Sequence, residues 1–180
     1  MIETKGWTIE GVYHLALNKQ YIGAVFHRDA FRLMEYLYFP VLAKLQEKQY
    51  KDEMKNVTRI EQKYLYRYHK VLAPRMNDRV EVIVPVIFST SSCEVTNADR
   101  KKQVYDFFNK WSSWEEEVEK YYTVMSDWFT QNELGGDACL FSSLASEVAE
   151  ERERIFKIIG QLKIHDWSPD YIDRVAKCFI

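Results

Sequence analysis

The sequence has little glycine and proline, with only six Gly and four Pro among 180 residues. A β-sandwich or β-barrel needs many tight turns, so this scarcity argues against both and favours a few long elements. There is no apolar run near the roughly 20 residues that a membrane-spanning helix needs. There is also no excess of basic charge, because the formal net charge is -2. We therefore expect neither a membrane nor a nucleic acid as a partner.

Cysteine is also scarce and scattered. Cys93, Cys139 and Cys178 lie far apart without a C-x-x-C pair, so they are expected to be free thiols rather than disulfide partners or zinc ligands. The first residues lack the charged-then-apolar layout of a secretory signal. The predicted compartment is the cytoplasm, and secretion after processing is left open.

What the sequence does have is apolar residues at helical spacing in four long segments. These segments cover residues 10–39, 41–72, 99–131 and 137–163. A short fifth helix is predicted after Ser168, which would be its N-cap, with Pro169 in its first position.

Between the second and third segments the pattern changes. Residues 79–88 are β-branched and extended-looking, and residues 89–97 are turn-like, which predicts a long crossover that lets helices 2 and 3 point the same way. We therefore predict that residues 1–180 form one all-α domain. Its architecture would be an up-down four-helix bundle with a long crossover between helices 2 and 3 and a short C-terminal fifth helix.

Glu115 interrupts the apolar stripe of the third segment, at a position between Trp111 and Val118 where an apolar residue is expected. A carboxylate that faces a bundle core must be paired, hydrogen-bonded, protonated or bound to a metal. Pairing with Arg152 and binding of a metal are both open interpretations, as is a place at the edge of the stripe. Glu151 interrupts the fourth stripe in the same way, with Arg152 as its expected partner.

Familiar catalytic patterns are absent. A di-iron bundle typically uses Glu-x-x-His, because that spacing puts a carboxylate and an imidazole on one helical face. None of the four histidines has Glu three residues before it; those positions hold Gly11, Ala24, Tyr66 and Leu162. The sequence also has no H-E-x-x-H, G-x-S-x-G, P-loop or G-x-G-x-x-G motif. These motifs therefore indicate no enzymatic activity, and whether the protein is an enzyme is left open at this point.

The order of elements and several short stretches together resemble the ferritin family. The stretch Ala16-Leu17-Asn18-Lys19-Gln20 resembles the opening of ferritin's first helix, and Glu115-Glu116-Glu117-Val118 resembles a segment of its third. Further stretches that resemble the family are Leu33 to Phe39, Asp78 to Val82, Ala145 to Val148 and the tail from Asp170 to Ile180. The resemblance covers almost the whole chain.

This resemblance implies a subunit of a hollow iron-storage cage, with iron as the metal if one is bound. Carried over onto this chain, the ferroxidase ligands fall on Ala24 in helix 1, on Glu61 or Val57 in helix 2, and on Val148 in helix 4. Glu115 of helix 3 is retained. Since Ala and Val offer no donor atoms, the oxidation centre is expected to be dismantled. The remnant metal positions implied are Glu115, Glu61 and Glu147.

The resulting hypothesis is a non-catalytic ferritin-like subunit of an iron-storage cage. It would self-associate or co-assemble with catalytic ferritin subunits into a large shell. Acidic residues facing the cavity could nucleate mineral, and the candidates chosen from charge are Glu47, Asp52, Glu53 and Glu61.

Two alternatives belong to other classes. One is a helical scaffold or interaction protein with no iron role, whose surface aromatics, notably Trp7 and Trp167, contact a partner. The other is an enzyme with an unusual metal site. Its ligands would be Glu115, Glu151, Glu61 and Tyr64.

Overall fold

Five helices make up the part of the chain that the computed structural model describes, residues 2–72 and 95–179. They are α1 (Ile9–Tyr36), α2 (Pro40–Tyr68), α3 (Asn97–Gln131), α4 (Gly135–Ile164) and α5 (Pro169–Lys177). The predicted all-α bundle with a short last helix is confirmed. The predicted extended segment 79–88 and most of the turn-like segment 89–97 lie outside the described residues. Among the described helices, none is long and apolar enough to cross a membrane.

The helix starts follow local sequence signals. Thr8 caps α1 by accepting a hydrogen bond from the backbone N–H of Gly11 at 3.1 Å. Thr96 and Asp99 form a reciprocal capping box at the start of α3. Pro40 and Pro169 stand at the first positions of α2 and α5, where a missing N–H costs nothing.

Two three-residue turns fold the chain into two antiparallel helix pairs. Tyr38 (φ 61°) lies in the turn between α1 and α2, and Glu133 (φ 60°) lies in the turn between α3 and α4. At the first turn the backbone N–H of Phe39 donates to the carbonyl of Met34 at 2.9 Å, and Leu134 donates to Phe129 in the same way at the second. These bonds satisfy carbonyls that the helix ends would leave without partners.

Contacts at the two ends of the bundle fix the helix directions. Tyr13, near the start of α1, packs against Tyr68 at the end of α2 and against Phe129 at the end of α3. Arg100, at the start of α3, donates to the carbonyl of Leu37 just beyond the end of α1, at 2.9 Å. Helices α2 and α3 therefore run in the same direction, so the end of α2 and the start of α3 lie at opposite ends of the bundle.

The fifth helix closes the end of the bundle where α2 begins. The Asp173 carboxylate accepts hydrogen bonds from the backbone N–H groups of Val41 and Leu42, at 3.2 and 3.1 Å. Trp167, just before α5, is 6% exposed and packs against Phe108. The expectation that Trp167 is a surface contact residue is wrong, because its ring fills the core where α5 folds back.

The apolar core forms two clusters along the bundle axis. One contains Phe26, Leu42 and Trp111 near the α5 end, and the other contains Leu17 and Phe141 near the opposite end. Buried polar side chains lie between the two clusters, near the middle of the helices: Gln20, His27, Gln46, Gln49 and Glu115. We call these five residues, together with Glu53 and Glu151, the polar layer. Polar groups at the centre of an otherwise apolar bundle reduce stability unless they are satisfied, so the layer indicates a function.

Candidate metal centre

His27, Glu53 and Glu115 form the centre of the polar layer. They come from α1, α2 and α3 respectively, and one potential ligand atom of each lies within 4.8 Å of those of the other two. A metal with bonds of about 2.1 Å separates its ligand atoms by at most about 4.2 Å. Small side-chain rotations would therefore bring all three donors onto one ion.

His27 is almost fully buried and fixed in orientation. Its Nδ1 lies 2.8 Å from the amide oxygen of Gln46 on α2. Its Nε2 lies 3.9 Å from Oε1 of Glu115. The ring also packs edge-on against Trp111, with the ring centres 5.3 Å apart. A neutral imidazole held in this way presents one nitrogen to a metal.

Glu115 is 3% exposed, which confirms that it faces the core. Its Oε1 accepts a hydrogen bond from the indole Nε1 of Trp111 at 3.0 Å. Arg152 does not hold Glu115, contrary to one interpretation of the sequence, because its guanidinium donates to Glu119 instead. The Arg152 side chain thus reaches from α4 to Glu119 on α3, and Glu115 stays within the polar layer.

Glu53 is half-buried, and its carboxylate lies against the backbone of α1 at Gly23. A Cβ atom at position 23 would lie 2.6 Å from Oε1 of Glu53, so glycine leaves the room that this carboxylate occupies. Gln20 connects Glu53 to α3: its amide nitrogen donates to the Glu53 carboxylate, and its amide oxygen accepts from the Tyr122 hydroxyl at 2.6 Å. Each of the three candidate ligands is thus oriented by a buried neighbour, as is usual around metal ions.

Glu151 adds a fourth side chain, and a third carboxyl group, from α4. Its Oε1 is buried and has no hydrogen-bond partner among the described residues. Burial and then the negative charge of Glu115 raise the pKa of Glu151 to about 8, while Arg154 opposes this shift. Burial and then the charges of Glu115, Glu151 and Asp52 raise the pKa of Glu53 well above its ordinary value. Carboxylates crowded in this way need either protons or a cation.

A cavity of about 270 Å³ connects this group of residues with the surface between α2 and α4. Glu53, Glu115 and Glu151 line its inner part. Arg59 and Glu147 line its outer part and form an ion pair of 2.7 Å between α2 and α4. An ion bound at the centre would therefore have a path to solvent that requires no unfolding.

The three residues predicted as metal positions lie in three separate places in the structure. Glu115 lies in the central group, and Glu147 lines the outer cavity, where Arg59 and Ser143 contact it. Glu61 is not among the residues that line the cavity. Burial, and then the negative charge of Glu61, raise the pKa of Tyr21 of α1.

Sequence reasoning missed His27 as a ligand and considered Glu53 only as a cavity-face acid. His27 lies three residues after Ala24, on the same side of α1, so an imidazole is available one turn beyond the position where the ferritin resemblance places a carboxylate. Glu53 lies four residues before Val57 and therefore on the same face of α2. Gly23 faces the Glu53 carboxylate, and a glycine within a helix was the sequence signal that another group approaches the α1 backbone closely there.

Comparison with protein-family models, with curated proteins and with solved structures finds no match to this chain. The ferritin resemblance therefore stays a prediction, and the metal centre rests on its own geometry. His27 and Glu53 are potential donors near the positions that the resemblance assigned to Ala24 and, in one of its two registers, to Val57. The donor set of one imidazole with two or three carboxylates suits divalent transition metals such as Fe(II), Mn(II), Co(II) and Zn(II).

The raised pKa values of Glu53 and Glu151 predict how pH changes the stability of the metal-free protein. The folded state keeps protons on these carboxyls that the unfolded chain releases above about pH 4.5. The free energy of unfolding should therefore fall as pH rises from about 4.5 to about 8. Thermal unfolding of chelator-treated protein at about pH 6 and about pH 8 measures this change, and Glu151→Gln should reduce it. A metal-free protein that is equally or more stable at the higher pH would contradict the prediction.

Proposed function

We propose that this protein binds a divalent transition-metal ion reversibly at the centre of its helical bundle. The observation that carries the proposal is the convergence of His27, Glu53 and Glu115 from three helices within a buried polar layer. The ferritin resemblance points to Fe(II) as the ion.

Several features support binding by an intact donor set rather than by a remnant. The three side chains have separate buried partners in Gln46, Gln20 and Trp111. Replacing a whole buried polar group by well-packed apolar residues is often neutral or stabilising, so a layer with no function would be expected to give way to apolar packing. The cavity to the surface favours an exchangeable ion over a structural one.

Anaerobic titration of metal-free protein with Co(II) and with Fe(II) tests this proposal. We expect saturable binding at the centre, with the helical circular-dichroism signal unchanged when a chelator removes the ion. Helicity should persist because two apolar clusters, one on each side of the polar layer, hold the bundle together without metal. Absence of saturable binding would overturn the proposal, and unfolding on chelation would overturn its reversible character.

Gly23 offers a test of the site that leaves the ligands themselves unchanged. Gly23→Ala should lower metal affinity at least about tenfold, because the new methyl group displaces the Glu53 carboxylate. The helix itself should be stabilised by up to about 1 kcal/mol, since alanine is the better helix former. Calorimetric metal titration and thermal unfolding of the same variant separate the two effects.

Gly160→Ala is the matched control for this variant. A Cβ at position 160 of α4 would have nothing within 4 Å, so the same gain in helix propensity comes without a change at the polar layer. Its metal affinity should equal that of the wild type. Equal affinities of Gly23→Ala and Gly160→Ala would exclude Glu53 as a ligand in this conformation.

Membership of a ferritin-like shell is a second proposal, supported by the helix directions. Helices α2 and α3 point the same way, as the predicted crossover requires, and α5 packs at one end of the bundle. Light scattering on purified protein measures the native mass. A large shell supports storage, whereas a monomer or small oligomer would leave only metal binding within the bundle.

A further inference from the structure

The imidazole of His27 is held between two oxygen atoms from different helices. Gln46, on α2, is fully buried and turns its amide oxygen toward Nδ1 at 2.8 Å. Glu115, on α3, turns Oε1 toward Nε2 at 3.9 Å. Phe26 and Trp111 pack edge-on against the ring, with ring centres 5.1 and 5.3 Å away, and restrict its rotation.

The hydrogen bond to Gln46 determines which ring nitrogen carries the proton. An amide oxygen can only accept, so Nδ1 must be the donor in this contact. A neutral imidazole has a single N–H, and Nε2 is therefore left with its lone pair. That lone pair faces an oxygen of Glu115 that already accepts from Trp111. Two electron-rich atoms facing each other across 3.9 Å form a suitable arrangement for a cation between them.

We propose that Gln46 is a positioning residue that holds His27 in the Nδ1–H tautomer and so directs the lone pair of Nε2 toward the metal. This inference rests on the proposed metal-binding function. The choice of an amide has a second consequence: Gln46 orients the ring without adding a charge. The carboxylates of Glu53, Glu115 and Glu151 then supply the negative charge that a divalent cation neutralises.

Nitrogen-15 NMR of metal-free protein labelled at histidine tests the tautomer directly. At a pH where the ring is neutral, the chemical shifts of its two nitrogens show which one is protonated. The four histidines are distinguished by loss of one signal in His27→Asn. We expect His27 to be the Nδ1–H form, in contrast to the Nε2–H form that free histidine prefers. An Nε2–H form would overturn the proposal.

Two substitutions at Gln46 extend the test to metal binding. Gln46→Leu removes the acceptor, so Co(II) affinity should fall about 10–100-fold and the His27 tautomer should change. Gln46→Glu keeps an acceptor oxygen at the same place, and it should retain both the Nδ1–H form and at least the wild-type affinity. Wild-type affinity and tautomer in Gln46→Leu would overturn the proposal.

The control is Gln103→Leu, on α3. Gln103 resembles Gln46 in having one buried amide atom, here the oxygen, with no hydrogen-bond partner among the described residues. It lies three turns from Glu115 and does not line the cavity. Its replacement should change neither the Co(II) affinity nor the tautomer of His27. The tautomer is measured on metal-free wild-type protein, and His27→Asn serves only to assign its signal, so a failure of metal binding and a failure of the Gln46 inference are distinguishable.

Discussion

Replacement of Asp137 by alanine is expected to lower the free energy of unfolding by about 3–5 kcal/mol, the usual cost of breaking a buried ionic contact. Asp137 is fully buried in the first turn of α4. Its carboxylate accepts hydrogen bonds from Tyr13 of α1 at 2.6 Å and from Tyr68 of α2 at 2.9 Å, and it pairs with Arg67 at 2.6 Å. Alanine would leave the buried Tyr13 hydroxyl without its acceptor. Chemical denaturation followed by circular dichroism measures the loss.

Neighbouring residues support the contacts that Asp137 makes with Tyr13 and Arg67. Burial, and then Asp137, raise the pKa of Tyr13 above its ordinary value of 10, so its hydroxyl stays protonated and can donate to Asp137 even in alkaline solution. Gly136 lets Arg67 approach, because a Cβ there would lie 2.7 Å from a guanidinium nitrogen. Asp127→Ala, at an exposed position of α3, is the control and should change stability by no more than about 0.5 kcal/mol. A loss below about 1 kcal/mol for Asp137→Ala would contradict the assigned role.

Glu115→Gln and Glu53→Gln are each expected to lower metal affinity by more than about 100-fold, beyond the usual loss for removing a residue that only orients a ligand. Glutamine keeps the size of the side chain but supplies no negative charge and a weaker donor. Both variants should stay folded without metal, because each removes one of several crowded carboxylates. Calorimetric titration with Co(II) measures the affinity, and thermal unfolding of metal-free samples checks the fold.

Glu117→Gln is the matched control on the same helix. Glu117 is exposed and pairs with Lys19 at the surface, so its loss should leave metal affinity unchanged. Equal affinities for Glu115→Gln, Glu53→Gln and wild type would show that the metal binds elsewhere.

The helices could be predicted because their signals are local. Apolar residues at helical spacing marked the four long helices, and Ser168 with Pro169 marked the start of the fifth. The bounds differ mainly at the ends: the fourth segment was predicted to begin at residue 137, but α4 begins at Gly135. Helix ends depend on tertiary contacts, which a periodic pattern does not contain.

The metal centre could be predicted only in part, because its residues are distant in sequence. Glu115 stood out as a carboxylate in an apolar stripe. His27 did not, because a search for Glu-x-x-His looks for both ligands on one helix, and here the carboxylates come from other helices. Glu53 lies in a part of α2 that has few apolar residues at helical spacing, because Gln46 and Gln49 take buried positions there.

The most direct test of the central proposal is a crystal structure of protein soaked in Co(II), with anomalous data collected at the cobalt edge. A strong peak is expected between His27, Glu53 and Glu115, about 2.0–2.2 Å from Nε2 of His27 and from a carboxylate oxygen of each glutamate. The same soak of Glu115→Gln should lose that peak. Cobalt found only at the surface, with no peak in the polar layer of the wild type, would contradict the proposal.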